Sequence, residues 1–258
     1  MARGPRSVAG AAPIARRGVA VAAIVLATFV PTPAAGADVV LVNGGAFGFS
    51  ASLSLFGGPA IPKGPAPVVT LPPTGTERPL TASEPSGHAV FGPVDMVDSG
   101  PLKVSTAGTL GPGGRVTSSS SVDGNYKPDR GPLRFELAES ACTASEEGVT
   151  GVTTMTRAFV QTKLDPKTEA PLATVPILPT PAPNYTVEGT LDNIGDRFKF
   201  VFNEQILAED GSITVNAIHM YALGPIAVGE LVQAQSRCGA VGPNGPRTPT
   251  VLAAPPMP

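Results

Sequence analysis

The chain has no tryptophan, three tyrosines, two histidines and two cysteines in 258 residues. Each shortage removes a class of chemistry. Glycan binding by stacking relies on exposed aromatic platforms, and Tyr126, Tyr185 and Tyr221 leave little to build one from. With only His88 and His219 there is no His-Glu-x-x-His zinc pattern. A serine hydrolase needs a base and commonly a Gly-x-Ser-x-Gly elbow, which is missing. Asp95 and Asp98 are too sparse for a calcium loop, and no glycine-rich phosphate loop occurs. The expectation is a chain with no metal, no cofactor and no evident catalytic set.

Long charged residues are also scarce. Charged residues make up 15%, against roughly 25% in ordinary soluble domains. Thirty glycines and thirty prolines are present, and with abundant Thr and Val they disfavour long helices and favour strands joined by turns. The predicted class is all-β.

Residues 1–37 stand apart. Arg3, Arg6, Arg16 and Arg17 precede an apolar run at 18–30, and Ala35-Gly36-Ala37 has the small-x-small spacing of a cleavage site. These are the three parts of a secretory signal peptide. The run has 13 residues, short of the ~20 needed to span a bilayer as a helix. Cleavage between Ala37 and Asp38 is expected, with no transmembrane segment afterwards. The remaining chain holds 14 basic against 20 acidic residues, a balance that argues against nucleic acid and against anionic membranes. In an oxidising compartment, Cys142 and Cys238 read as one disulfide.

Along the chain, 46–56 alternates strictly, with Phe47, Phe49, Ala51, Leu53 and Leu55 expected on one face. Proline-rich stretches at 57–85 and 166–183 are expected as surface connections, with an edge strand near 68–71. Residues 155–163 are compatible with a helical turn. Phe198, Phe200 and Phe202 alternate, and beyond the turn Glu209-Asp210-Gly211 the residues Ile213, Val215, Ala217, His219 and Tyr221 are placed together on one face. On that face His219 reads as a hydrogen-bonded core histidine. The strand returning through Cys238 completes an antiparallel meander. Short strands without helical patterning predict an antiparallel β-sandwich, spanning 38–238, with a proline-rich disordered tail at 239–258.

Some motifs lead nowhere. Leu71-Pro72-Pro73-Thr74-Gly75 fits a sortase signal, but it stands inside the chain rather than before a C-terminal apolar segment. Asn184-Tyr185-Thr186 fits a glycosylation triplet. Glu204 follows an aromatic strand and is the one carboxylate a glycosidase reading would choose, with Asp98, Glu136 or Glu188 as partners. The plainer reading of Glu204 is a strand-end residue bonded to a turn.

Asn203-Glu204-Gln205, the run 211–219 containing Asn216 and His219, and 229–239 ending in Cys238-Gly239 together resemble the choice-of-anchor P proteins, exported proteins of actinobacteria. The opening at Ala46, the Val-Thr-Leu-Pro stretch at Val69 and Cys142-Thr143-Ala144 fit the same pattern. The resemblance implies export, a β-rich domain, a Cys142–Cys238 pair and a variable mode of anchoring. The function expected is an extracellular or cell-surface structural or interaction protein, with cell-wall or extracellular components as candidate partners. A glycan- or ligand-binding sandwich is the alternative, and a secreted hydrolase the third.

Overall fold

A computed structural model describes residues 38–91, 94–124, 132–164, 170–191 and 195–245. The proposed signal segment, its Ala37 boundary, Tyr126 and the segment 246–258 lie outside the described residues. The fold is all-β and every long element is a strand. In chain order these are β1 (Asp38–Val39), β2 (Leu41–Leu55), β3 (Ile61–Thr70), β4 (Thr76–Glu84), β5 (Gly87–Phe91), β6 (Val94–Ser99), β7 (Leu102–Gly108), β8 (Gly111–Pro112) and β9 (Arg115–Asp123). There follow β10 (Leu133–Arg134), β11 (Leu137–Ser145), β12 (Gly148–Thr156), β13 (Ala158–Leu164), β14 (Pro171–Ile177), β15 (Tyr185–Leu191), β16 (Asp196–Leu207), β17 (Ile213–Leu223) and β18 (Ala227–Val241).

Two large sheets form. A nine-stranded sheet runs β10-β13-β15-β16-β17-β18-β2-β3, with β14 paired to β13. A five-stranded sheet runs β12-β11-β9-β7-β4. The expected meander is β16-β17-β18, antiparallel throughout. The proline-rich stretches expected as surface connections are largely strand: β3 and β4 lie within 57–85 and β14 within 166–183, and the edge strand expected near 68–71 is β3, from Ile61 to Thr70. Proline is tolerated because these strands are at edges, where a missing N–H breaks no ladder: β3, with Pro62, Pro65 and Pro67, is the last strand of the large sheet, and Pro79 lies in β4, last in the small one. Residues 155–163 are not helical; β12 ends at Thr156 and β13 begins at Ala158, with Arg157 at φ 46° between them. Strand β18 continues to Val241, pairing with Leu41, so Gly239, Ala240 and Val241 belong to the sheet and not to the tail expected from Gly239.

The sheets pack face to face over two apolar clusters. One gathers Phe49, Leu53, Phe91, Leu102, Met155, Phe198, Phe200, Phe202 and Ile218. The other gathers Val42, Leu71, Val116, Ile213, Val215 and the half-cystines. The disulfide Cys142–Cys238 joins β11 to β18, one strand from each sheet, at a Cα–Cα distance of 5.9 Å. Stacked sheets commonly lie about 10 Å apart, so here they are drawn close. Small residues permit it. The Ser118 hydroxyl donates to the Arg237 carbonyl and the Ser120 hydroxyl to the Phe47 carbonyl, each at 2.8 Å, side chain of one sheet to backbone of the other.

Between the clusters the nine-stranded sheet changes phase. Asn203, Ala217, Ala234 and Gly48 fall on one transverse row, and none takes part in a ladder pair although the residues on either side do. Asn203 and Ala234 have positive φ, 50° and 51°. A strand that passes such a residue exchanges its faces. Ile213 and Val215 point into the core before the row; Ile218 and Ala222 do so after it. Two expectations fall here. Phe47 is only half-buried, opposite Gln235 on the outer face, while Phe49, Ala51 and Leu53 are buried. His219 and Tyr221 stand on the face opposite to Ile213 and Val215. Plain alternation assumes one phase per strand, and this strand has two.

Candidate functional site

The phase change turns a polar constellation out onto the outer face of β16, β17 and β18. Glu204 is the cross-strand partner of Asn216, and His219 lies between Val201 and Val232. The Asn216 amide donates to Glu204 Oε2 at 2.7 Å, and His219 Nδ1 lies 2.6 Å from the same oxygen. An ionised carboxylate only accepts, so Nδ1 carries the hydrogen. Tyr221 donates its hydroxyl to Glu204 Oε1 at 3.2 Å and stacks on the imidazole, ring centroids 4.1 Å apart. Gln235 donates to Asn216 Oδ1 at 2.8 Å, and Lys199 places Nζ 4.3 Å from the Tyr221 ring centre. On the far side of the imidazole, Nε2 faces Glu230 Oε2 at 3.4 Å.

Burial is steep across this set. Glu204 and His219 side chains are 14% and 10% accessible, whereas Glu230 is 56% accessible. Burial pushes the Glu204 carboxyl up, but hydrogen bonds from His219 and Asn216, the His219 charge and the Tyr221 hydroxyl outweigh it and hold the group below its ordinary range. The same neighbourhood pushes the Tyr221 phenol up to about 12, through burial first and then the adjacent Glu204 charge. Chemically, the arrangement holds one imidazole in a fixed orientation between a buried and an exposed carboxylate. Among the described residues, no serine or threonine hydroxyl is bonded to that imidazole. Nor does any group of three or more His, Cys, Asp or Glu sit where it can hold a metal ion.

The five residues singled out in the sequence meet here, on two faces. Glu204, Asn216 and His219 form the outer cluster. Asn203 and Gln205 turn inward, bonded to each other at 3.1 Å. The Asn203 amide donates to the Pro181 carbonyl at 2.9 Å, and Gln205 donates to the Gly151 carbonyl of β12 at 2.9 Å, capping an edge of the small sheet. The carboxylate sharing His219 with Glu204 is Glu230, which the sequence did not single out. Glu136 pairs with Arg157 at 2.6 Å, while Asp98 and Glu188 lie on β6 and β15. Tyr221 was within reach of sequence reasoning, two residues after His219 and so on its face. Glu230, Lys199 and Gln235 come from other strands, whose register the sequence does not contain. His88 is exposed on β5, opposite Asp98.

A second feature lies on the outer face of the five-stranded sheet. Two ladder rows run across all five strands, Thr154–Glu139–Ser121–Lys103–Ser83 and Val152–Ala141–Ser119–Ser105–Thr81. Seven of these ten residues are Ser, Thr or Ala. They floor a shallow concavity of about 720 Å³. Among the described residues, the exposed large aromatics Phe56 and Tyr185 both lie outside it.

No helix among the described residues is long and apolar enough to cross a membrane. Comparison with known proteins finds no matching family model, no similar curated sequence and no matching solved structure.

Proposed function

We propose that the protein is an exported, extracellular or surface-associated structural and interaction protein that acts through its sheet faces and not by catalysis. The observation that carries this reading is the Ser/Thr face of the five-stranded sheet, a smooth hydroxyl-rich floor without aromatic platforms or paired carboxylates. The disulfide between the two sheets supports it, because such bonds persist in oxidising compartments. The resemblance to choice-of-anchor P proteins points the same way. Fractionation of the producing cells, with the mass of the mature product, tests it. The expected product starts at Asp38, is oxidised, and is found outside the cytoplasm. Intact protein starting at Met1, with both thiols reactive inside the cell, overturns it.

A second reading, an extracellular glycan- or ligand-binding module, is favoured by the same concavity. Binding that is lost when Ser119 and Ser121 are both replaced by Tyr, with folding retained, would establish it.

A further inference from the structure

The fold holds the His219 ring from one side. Its Nδ1 lies 2.6 Å from Glu204 Oε2 and 3.0 Å from the Tyr221 hydroxyl. Glu204 is itself held by the Asn216 amide at 2.7 Å, and Asn216 by the Gln235 amide at 2.8 Å. Side chains from β16, β17 and β18 thus orient the ring through one nitrogen.

The other nitrogen is less well served. Nε2 faces Glu230 Oε2 at 3.4 Å, beyond the roughly 2.7–2.9 Å of a charge-assisted hydrogen bond. The gap is the width a metal ion needs. Zinc bonds to imidazole nitrogen and carboxylate oxygen are about 2.0–2.2 Å long, and at a tetrahedral angle they set the two donor atoms about 3.4 Å apart. Glu204 stands where such a site requires a carboxylate. Metal-ligating histidines characteristically donate their second N–H to one, which orients the ring and raises its basicity.

The surroundings favour a cation. On this outer face Glu188, Lys199, Tyr221 and Glu230 form one ladder row. With Glu204, three carboxylates stand against one ammonium, and that ammonium, Lys199 Nζ, lies over the Tyr221 ring. Glu230 is 56% accessible, so an ion has an entry path and its remaining positions face water. A nitrogen and a carboxylate donor suit a borderline ion such as zinc, whereas calcium and magnesium take oxygen ligands.

We propose that His219 Nε2 and Glu230 Oε2 bind one divalent transition-metal ion of the zinc class, with Glu204 as the carboxylate behind the imidazole. Two protein ligands are fewer than the three of a catalytic zinc site, so water fills the other positions and the ion exchanges readily. On binding, the metal–nitrogen bond replaces any N–H bond at Nε2, and that proton leaves to solvent. The site goes beyond the structural and interaction reading and does not depend on export.

Titration calorimetry of the untagged, oxidised protein with zinc chloride tests the proposal. A single ion is expected to bind. Affinity should fall about tenfold or more in Glu230→Gln, no less than the loss typical of an outer carboxylate, and binding should vanish in His219→Gln. Calcium and magnesium should not displace the ion. His88→Gln is the control and should bind zinc as the parent does. Because His219 is buried and its variant can misfold, a second measurement uses the unaltered protein. Zinc should shift the Nε2 resonance of His219 in nitrogen NMR and leave Nδ1 protonated. No zinc uptake, uptake unchanged in Glu230→Gln, uptake lost in His88→Gln, or a shift at Nδ1 in place of Nε2 overturns the proposal.

Discussion

Asn203 and Ala234 both adopt positive φ opposite the same residue, Ala217, one on each of the strands that flank β17. The pair marks where the sheet changes phase. The Asn203 carbonyl released from the ladder accepts Asn184 N at 2.9 Å, and the Phe47 carbonyl on the same side of the row accepts the Ser120 hydroxyl at 2.8 Å. These two carbonyls beside and within the row are partnered, as buried backbone groups must be.

Asn203 should therefore tolerate glycine better than alanine. Asparagine accepts the left-handed region and alanine resists it by roughly 1–2 kcal/mol. Either change also loses the bond to Pro181, for which about 1 kcal/mol is typical. Chemical denaturation should place Asn203→Ala about 2–3 kcal/mol below the parent, with Asn203→Gly between them. Equal losses would show that the backbone conformation is not what matters.

The outer cluster predicts stability limits at both ends of the pH scale. Glu204 is depressed in the folded state, so its contribution is present above its unfolded value of 4.5 and is lost as pH falls below that. Tyr221 is raised from 10.0 to about 12, so its contribution is complete below pH 10 and is lost as pH climbs from 10 towards 12. Thermal unfolding across pH should show both flanks. Glu204→Gln should flatten the acid flank below pH 4.5; an unchanged acid slope would move its origin elsewhere.

Replacing Cys142 and Cys238 together by Ala should cost on the order of 4–5 kcal/mol by the chain-entropy argument for a loop of nearly a hundred residues, their separation being 96. Urea unfolding of the double variant measures it. A loss under about 1 kcal/mol would mean that the close approach of the sheets, not the cross-link, sets the stability.

Ser140 and Ser236 each stand two residues before a half-cystine, on strands from opposite sheets, and their hydroxyls are buried without a hydrogen-bond partner. Unpaired buried hydroxyls are penalised by about 1–3 kcal/mol. Ser236→Ala is expected to raise the unfolding midpoint slightly, unlike most core truncations. A clear drop would reveal that the hydroxyl is bonded in solution.

Much of this architecture was legible in the residues. Alternation in 46–56 and 198–202 and turn chemistry at 209–211 act within a few residues of chain, and they determined the all-β class and the meander, while the prolines marked an edge near 68–71 but hid that β3, β4 and β14 are strands. The pairing of Cys142 with Cys238 followed from there being no other cysteine. What only the tertiary structure decided is which face each side chain occupies beyond the phase break. An alanine at φ 51° looks like any other alanine in a sequence, and the row at Gly48, Ala217 and Ala234 forms only when four strands align. The gathering of Glu204, His219, Tyr221 and Glu230 depends on register between distant strands, which hydrogen bonds and sheet packing set and local preference does not.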